Sequence, residues 1–149
     1  MIPRFGDSIR PNQRYQRRPG AYAIIQRGNL VLLTFQAAPV PELQLPGGGI
    51  DPGENPLPAL HREVLEETGY RIRVTARIGA FRQYNYMPEY SIWAEKICHV
   101  YLATPGPRVG PPTEDGHIAL WMPLEEALDH VPNEGGTQFL RSRRARQLL

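Results

Sequence analysis

Short apolar runs, separated by stretches rich in glycine and proline, recur along most of this chain and predict β-strands. The run AYAIIQRGNLVLLTF predicts two strands joined at Arg27-Gly28-Asn29, because a short glycine-containing turn between apolar runs is typical of a hairpin. Farther along, arginines alternate with β-branched residues, a period of two that indicates a half-buried strand. The other predicted strands are LQLP, RIRVTARIGAFRQYNY, IWAEKICHVYLA and HIALWM.

A helix is predicted directly after the segment GGGIDPGE. Asn55 is a suitable N-cap and Pro56 fits the first helical position. Pro58 still lies in the first turn, where a missing N–H costs no helical hydrogen bond. The helix is expected to run to about Thr68 and to end at Gly69, a residue type common at helix C-caps. Further helices are predicted in PLEEALDHV and TQFLRSRRARQLL.

The order of these elements predicts the fold class and the domain organisation. Residues 1–18 are polar and rich in arginine and proline, and an irregular N-terminal arm is expected there. TPGPRVGPPTEDG is expected to be a loop, because proline and glycine dominate it. Strands, a helix, strands and then helices predict an α/β fold with a central mixed sheet, as a single domain over residues 19–149.

Composition and charge narrow the function classes. The 149 residues carry a formal net charge of +2, which is too small to indicate a nucleic-acid-binding protein. Arginines cluster near both ends, and solvated surfaces explain them as well as phosphate contacts do. Cys98 is the only cysteine, is expected to be a buried apolar residue, and fits a reducing compartment. No apolar signal or membrane-spanning run is present, so a cytoplasmic protein is expected.

The predicted central helix has an unusual acidic face. Residues three and four apart are neighbours on a helix, so Glu63 lies beside both Glu66 and Glu67, while an apolar stripe of Leu57, Leu60 and Val64 can pack on the sheet. Clustered carboxylates repel one another, and a hard divalent cation would relieve that repulsion. A carbonyl of Gly47 or Gly48 could complete its ligands. An ordinary solvated acidic helix is the alternative.

The spacing of these residues resembles a known motif. Residues 48–70 resemble the box of the Nudix hydrolase family, G-x5-E-x7-R-E-U-x-E-E-x-G-U, where U is a bulky apolar residue. Gly48 opens the pattern and Glu54 follows at the required interval. Tyr70 fills the last position, where an aliphatic residue is more usual. The remaining defined positions are filled by Arg62, Glu63, Val64, Glu66, Glu67 and Gly69.

The resemblance implies an α/β/α sandwich and a metal-dependent hydrolase of nucleoside diphosphates linked to another moiety. By position, it implies that Glu63, Glu66 and Glu67 bind Mg²⁺ or Mn²⁺. Arg62 would orient a glutamate, Glu54 would brace the loop or contact metal through water, and Gly47 would lend its carbonyl. The general base varies within the family, so both Glu63 and a glutamate of a later loop are candidates. Glu114 in PPTEDG is the preferred loop candidate and Asp115 the next, although both also suit a plain turn.

Residues after the box are candidates for substrate binding. Tyr84, Tyr86, Tyr90 and Trp93 lie close together in the sequence, and aromatic faces can stack on a base. Tyr86 falls where a tyrosine marks relatives that resemble dinucleoside polyphosphate hydrolases. The alternative is that most of these rings belong to the core or its rim. Basic residues that could contact phosphates are Arg18, Arg82 and Lys96.

Two other functions stay open at this point. The same fold could serve as a catalytically silent nucleotide-binding or sensor module, but the complete set of box residues argues against lost catalysis. A nucleic-acid-binding role is disfavoured by the small net charge. Family relatives are often dimers, so a homodimer is a further expectation.

Overall fold

A computed structural model describes residues 2–147 of the chain. The described residues form eight strands and three helices. The strands are β1 (Arg4–Gly6), β2 (Gln16–Arg27), β3 (Leu30–Gln36), β4 (Glu42–Gln44), β5 (Gly47–Gly49), β6 (Tyr70–Met87), β7 (Ile92–Arg108) and β8 (His117–Pro123). The helices are α1 (Pro56–Thr68), α2 (Leu124–His130) and α3 (Glu134–Gln147).

The strands form one mixed sheet, as the sequence predicted. Its order is β1-β6-β7-β2-β3-β4, with β5 paired to β2 and β8 paired to β3. The β1–β6 and β2–β7 pairs are parallel, and the other pairs are antiparallel. The long β6–β7 pair contains register shifts that bend it. The predicted hairpin at Arg27 is confirmed by the antiparallel pairing of β2 with β3.

Helices cover both faces of this sheet, so the α/β/α sandwich is confirmed. Side chains alternate between the faces along each strand. Ile24 of β2 packs in one apolar cluster with Leu124 of α2 and Leu140 of α3. Its neighbour Ile25 packs in the other cluster with Leu60 and Val64 of α1. The face that carries α1 is called the α1 face below.

Cys98 lies in the cluster under α2 and α3 with 1% of its surface exposed. Burial raises the pKa of its thiol to about 11, because the thiolate is poorly solvated there. The expected role as a small apolar residue therefore agrees with its surroundings.

Helix α1 has the predicted boundaries and ends for a steric reason. Gly69 adopts the left-handed conformation at φ +77°, and its N–H donates to the carbonyl of Leu65 across 2.9 Å. A Cβ at Gly69 would collide with the carbonyl oxygen of Gly110, so the position needs glycine on two counts. One element of the expected apolar stripe is wrong, because Leu57 in the first turn of α1 is exposed.

The N-terminal segment is more ordered than expected. Residues 1–18 were predicted to be irregular, yet β1 pairs in parallel with β6 and β2 already begins at Gln16. The polar side chains of these short pieces are compatible with a sheet edge, where one side of the strand faces solvent. The proposed domain boundary at residue 19 remains a prediction.

The proline-rich loop is also shorter than expected. Strand β7 continues to Arg108 and includes Pro105 and Pro107, two residues of the predicted loop. Its pairing with β2 ends at Ala103, so the rest of β7 pairs only with β6. Prolines are tolerated at such an edge because one side of the strand needs no ladder hydrogen bonds.

None of the helices in the described part of the chain is long and apolar enough to cross a membrane.

Candidate functional site

Strand β5 brings the glycines against helix α1. The backbone N–H of Gly47 donates a hydrogen bond to Oε1 of Glu67 across 2.9 Å. Gly47 pairs with Tyr22 of β2 and has φ +143°, and a Cβ there would collide with the backbone of β2. Only glycine allows this close approach of three elements. The N–H of Gly47 is thus used within the protein, and the contact of its carbonyl with a metal stays a prediction.

The three glutamates of α1 differ in burial although they share one helix face. Glu67 is 5% exposed, whereas the side chains of Glu63 and Glu66 are 15% and 40% exposed. A Cβ on Gly48 would lie 2.6 Å from the carboxyl carbon of Glu63, so the bare glycine backbone leaves room for that carboxylate. Strand β5 (Gly47–Gly49), the glycine strand, therefore positions two of the three glutamates.

Arg62 holds the acidic residues around it. Its guanidinium donates to both oxygens of Glu54, with Nε–Oε2 at 3.0 Å and Nη2–Oε1 at 2.9 Å, and its Nη1 donates to Glu63 across 3.0 Å. Glu54 also accepts the backbone N–H of Asp51 at 3.0 Å. The hydrogen bond from Arg62, more than any other contact, lowers the pKa of Glu54. This two-pronged contact fixes the loop between β5 and α1.

The electrostatics of the site are unfavourable without a counter-charge. Burial raises the pKa of the Glu67 carboxyl well above its usual value, and Glu63, Glu114 and Glu66 raise it further. Burial also raises the pKa of Glu63, and the charge of Arg62 offsets only part of that effect. Buried carboxylates that repel one another in this way favour a bound cation.

Glu114 reaches the same site from the segment between β7 and β8. The backbone N–H groups of Thr113 and Glu114 both donate to the carbonyl of Glu66, at 2.8 and 3.0 Å. These bonds hold the segment against the C-terminal end of α1. Asp115, the second candidate base, is exposed and is absent from both ligand groups found among the described residues.

His117 also lies at this site, and the sequence does not predict it as a site residue. It begins β8, and its side chain is only 7% exposed. Its Nδ1 lies 2.8 Å from the hydroxyl of buried Thr34 and 3.8 Å from Oε2 of Glu67, and its Nε2 lies 3.8 Å from Oε1 of Glu114. The only signal in the sequence was its spacing three residues after Glu114.

Two groups of ligand atoms result from this packing. One contains Glu63, Glu66 and Glu114, and the other contains Glu67, Glu114 and His117. Within each group the ligand atoms lie within 4.8 Å of one another. Glu114 belongs to both groups, so the structure brings the box glutamates together with a residue about 50 positions away in the chain.

The candidate substrate residues lie on the α1 face and differ in accessibility. Tyr84 is 8% exposed, and its hydroxyl donates to Oε2 of Glu95 across 2.7 Å. Arg82 lies 3.8 Å from the same carboxylate. Tyr86 is 42% exposed, and its ring centroid is 5.1 Å from that of Trp93. The expected substrate contact of Tyr84 conflicts with this packing. Its ring is buried, and its hydroxyl is already bonded to Glu95.

Comparison with known proteins agrees with this arrangement. A sequence model described as the NUDIX domain matches residues 16–141. The chain is 32% identical over 114 residues to a putative 8-oxo-dGTP diphosphatase of Bacillus subtilis, a match that covers 76% of this chain and 72% of that protein. It is 34% identical over 97 residues to an RNA pyrophosphohydrolase of Cereibacter sphaeroides, covering 56% of this chain and 59% of the relative.

A third relative is the CMP-5'-(N-acetyl-N-hydroxy-3-aminopropyl)phosphonate hydrolase of Streptomyces rubellomurinus, 34% identical over 122 residues. That match covers 77% of this chain but only 56% of the relative. A NUDIX hydrolase structure from Nitrosomonas europaea has the same fold, with a TM-score of 0.71 and 20% identity over 87% of this chain and 90% of that one. The chain belongs to the NUDIX family, and it is a pyrophosphohydrolase of that family acting on phosphoric anhydrides.

Proposed function

We propose that this protein hydrolyses the pyrophosphate link of a nucleoside diphosphate derivative, in the nucleotide or dinucleoside polyphosphate class, with Mg²⁺ or Mn²⁺. The observation that carries the proposal is the meeting of the α1 glutamates with Glu114 beside the glycine strand. The relatives whose names state a substrate act on 8-oxo-dGTP, RNA or a CMP derivative. Each of these substrates contains a nucleotide, which supports a nucleotide-type substrate for this protein.

The residues of the site fit a hard divalent cation. Its ligands would be carboxylate oxygens of Glu63, Glu66 and Glu67, with the Gly47 carbonyl as a further oxygen. The raised pKa values of Glu63 and Glu67 support this, since the carboxylates lack enough positive charge around them. When bound, the cation supplies charge neutralisation at the anhydride oxygens and a lower pKa for a coordinated water.

Other residues of the site hold the carboxylates in position. Arg62 keeps Glu63 and Glu54 in fixed positions through charge-assisted hydrogen bonds. Gly47 holds Glu67 in its rotamer through the backbone N–H, and Gly48 leaves space for Glu63. Errors of about 1 Å in such positions cost roughly 10²-fold in rate, so these contacts contribute through orientation.

Glu114 is the proposed general base, which accepts the proton of the attacking water. Its side chain is 43% exposed and open to water, and a carboxylate oxygen of Glu114 lies within 4.8 Å of ligand atoms of Glu63 and Glu66. Glu63 is the competing candidate, but one of its oxygens already accepts a hydrogen bond from Arg62. A carboxylate that is also a cation ligand is a weaker proton acceptor.

The test is a panel of nucleotides, dinucleoside polyphosphates and nucleotide sugars, assayed for phosphate and nucleoside monophosphate release. Hydrolysis of at least one compound is expected with Mg²⁺ or Mn²⁺ and none in excess EDTA. A protein that binds nucleotides in this panel but hydrolyses none would instead be the silent module. A homodimeric state and a cytoplasmic location stay predictions from the sequence.

A further inference from the structure

An aromatic and cationic cluster lies at the end of the sheet beyond the acidic site. We propose that the ring of Trp93, flanked by Tyr86, is the platform on which the substrate's nucleobase stacks, and that the base takes the place of Arg10. The guanidinium carbon of Arg10 lies 4.4 Å above the Trp93 ring in this structure. The proposal rests on the proposed function, because it supplies the base-binding part of the same nucleotide site.

Strand alternation places Trp93 on the α1 face. Tyr101 and Ala103 of β7 pack in the cluster under α1. The pairing of β7 with β2 is regular from Ala94 to Ala103, so every second residue back from Ala103 points to the same face. That series reaches Glu95 and then Trp93. Tyr86 is directly opposite Trp93 on β6 and shares its face.

The distance from Trp93 to the box loop suits one nucleotide. Ile97 of β7 pairs with Pro19, whose carbonyl accepts the N–H of Ile50 directly after the glycine strand. Trp93 is four positions earlier on the same strand, which is about 13 Å at the rise of a β-strand. A base on Trp93 therefore leaves its ribose and phosphates extending along the sheet towards the acidic site.

The residues around Trp93 form a stacking site, and the side chain of Arg10 occupies it in this structure. Tyr15 meets the Trp93 ring edge-on at 6.3 Å, and Tyr86 lies tilted against it at 5.1 Å. Arg10 covers the ring, and its backbone N–H donates to the Tyr15 hydroxyl across 3.0 Å. Arginine and nucleobases both stack as flat groups on aromatic rings. Cation–π contacts at exposed sites are weaker than base stacking, so a base can replace the guanidinium.

This platform predicts a base-tolerant enzyme. A carboxylate two positions along the same face, that of Glu95, is already bonded to Arg17 at 2.9 Å and to the Tyr84 hydroxyl. Recognition by ring stacking discriminates little among bases, because every base has a π-face. Purines are expected to bind more tightly than pyrimidines only to the extent that their faces are larger.

The binding test uses tryptophan fluorescence in EDTA, so it does not depend on hydrolysis. The chain has two tryptophans, and Trp121 is half-buried with its indole N–H bonded to Tyr70. AMP is expected to quench Trp93, ribose 5-phosphate to leave the signal unchanged, and Trp93→Leu to abolish the quench. An AMP quench that persists in Trp93→Leu would overturn the platform.

The kinetic test separates Arg10 from a neighbouring arginine. Arg10→Ala is expected to lower KM for the nucleotide substrate, and Trp93→Leu to raise it about tenfold or more, with kcat little changed. Arg14→Ala is the matched control, because Arg14 is also exposed and makes no ring contact among the residues described. A KM that rises in Arg10→Ala contradicts the displacement of Arg10 by the base. This variant tests the proposal even if Trp93→Leu folds poorly.

The two proposals fail separately. Hydrolysis without any AMP quench at Trp93 rejects the platform and keeps the proposed function. A quench at Trp93 without hydrolysis of any compound rejects the proposed function and keeps the base site.

Discussion

The backbone N–H of Gly47 donates to the carboxylate of Glu67 across 2.9 Å, and this bond joins strand β5 to helix α1. Glu67 is nearly buried, so the bond holds an acidic side chain in a place where its charge is poorly solvated. The bond depends on glycine at this position, because only glycine can occupy the strand at φ +143°.

Glu67→Gln is expected to lower kcat by about 10² or more. Glutamine keeps the side-chain shape and can still accept the Gly47 N–H, but it removes a charged ligand. The measurement is metal-dependent turnover on the best substrate of the panel, with circular dichroism as the folding control. Near-normal turnover in this variant would show that Glu67 is dispensable for metal binding.

The same substitution is expected to stabilise the metal-free protein at neutral pH. The pKa of Glu67 is raised in the folded state, so the folded protein holds this proton more tightly than the unfolded chain does. Its contribution to stability therefore falls as pH rises above the unfolded value near 4.5 and continues to fall up to the folded pKa. In EDTA, the Tm of Glu67→Gln should match wild type at low pH and exceed it near neutrality. An equal Tm at every pH would contradict the burial cost.

Gly48→Ala is expected to reduce activity while the fold is kept. The new Cβ would lie 2.6 Å from the carboxyl carbon of Glu63, the flexible end of a side chain that can move away. Displacement of a catalytic-site carboxylate by about 1 Å costs roughly 10²-fold in rate. Gly49→Ala is the matched control, since a methyl group at Gly49 would have no described atom within 4 Å. Equal activities for the two variants would rule out the steric explanation.

Glu114→Gln is expected to lower kcat with KM and metal affinity nearly intact. The glutamine cannot accept the water proton, while the backbone bonds to Glu66 that hold this segment are unchanged. Asp115→Asn should have a much smaller effect, because Asp115 lies in neither ligand group of the described residues. Isothermal titration with Mn²⁺ separates the roles: a large loss of metal affinity in Glu114→Gln would identify Glu114 as a ligand. A wild-type kcat in Glu114→Gln, with turnover lost in Glu63→Gln, would identify Glu63 as the base.

Tyr86→Ala is expected to raise KM for a nucleotide with kcat little changed, the pattern of lost binding that is equal in ground and transition states. The ring is 42% exposed, so its removal should leave the Tm close to wild type. Tyr84→Phe is the contrasting variant, since it removes the hydroxyl bonded to Glu95 and should act on stability instead. An unchanged KM with a lowered Tm in Tyr86→Ala would make that ring structural.

Local patterns in the sequence were enough to predict the central helix and its acidic face. The period of 3.6 residues placed Glu63 beside Glu66 and Glu67, and the cap preferences of Asn55 and Gly69 located both ends of α1. Alternation with a period of two predicted β6, and short apolar runs predicted β2, β3, β4, β7 and β8, whereas β1 and β5 were not predicted. These features depend on residues within one or two turns of each other, so a single sequence carries them.

The tertiary structure decided the features that join distant parts of the chain. His117 and Glu114 approach Glu67 only because β8 pairs with β3 and the preceding segment bonds to the end of α1. The burial of Tyr84 and the strand at Arg4–Gly6 likewise follow from pairing with elements far away in sequence. Burial depends on what packs against a residue, and period and residue type do not specify that partner. The sequence by itself therefore determined the spacing of the acidic residues on α1 and the family resemblance, while packing between distant elements decided which other side chains meet these residues and how deeply each is buried.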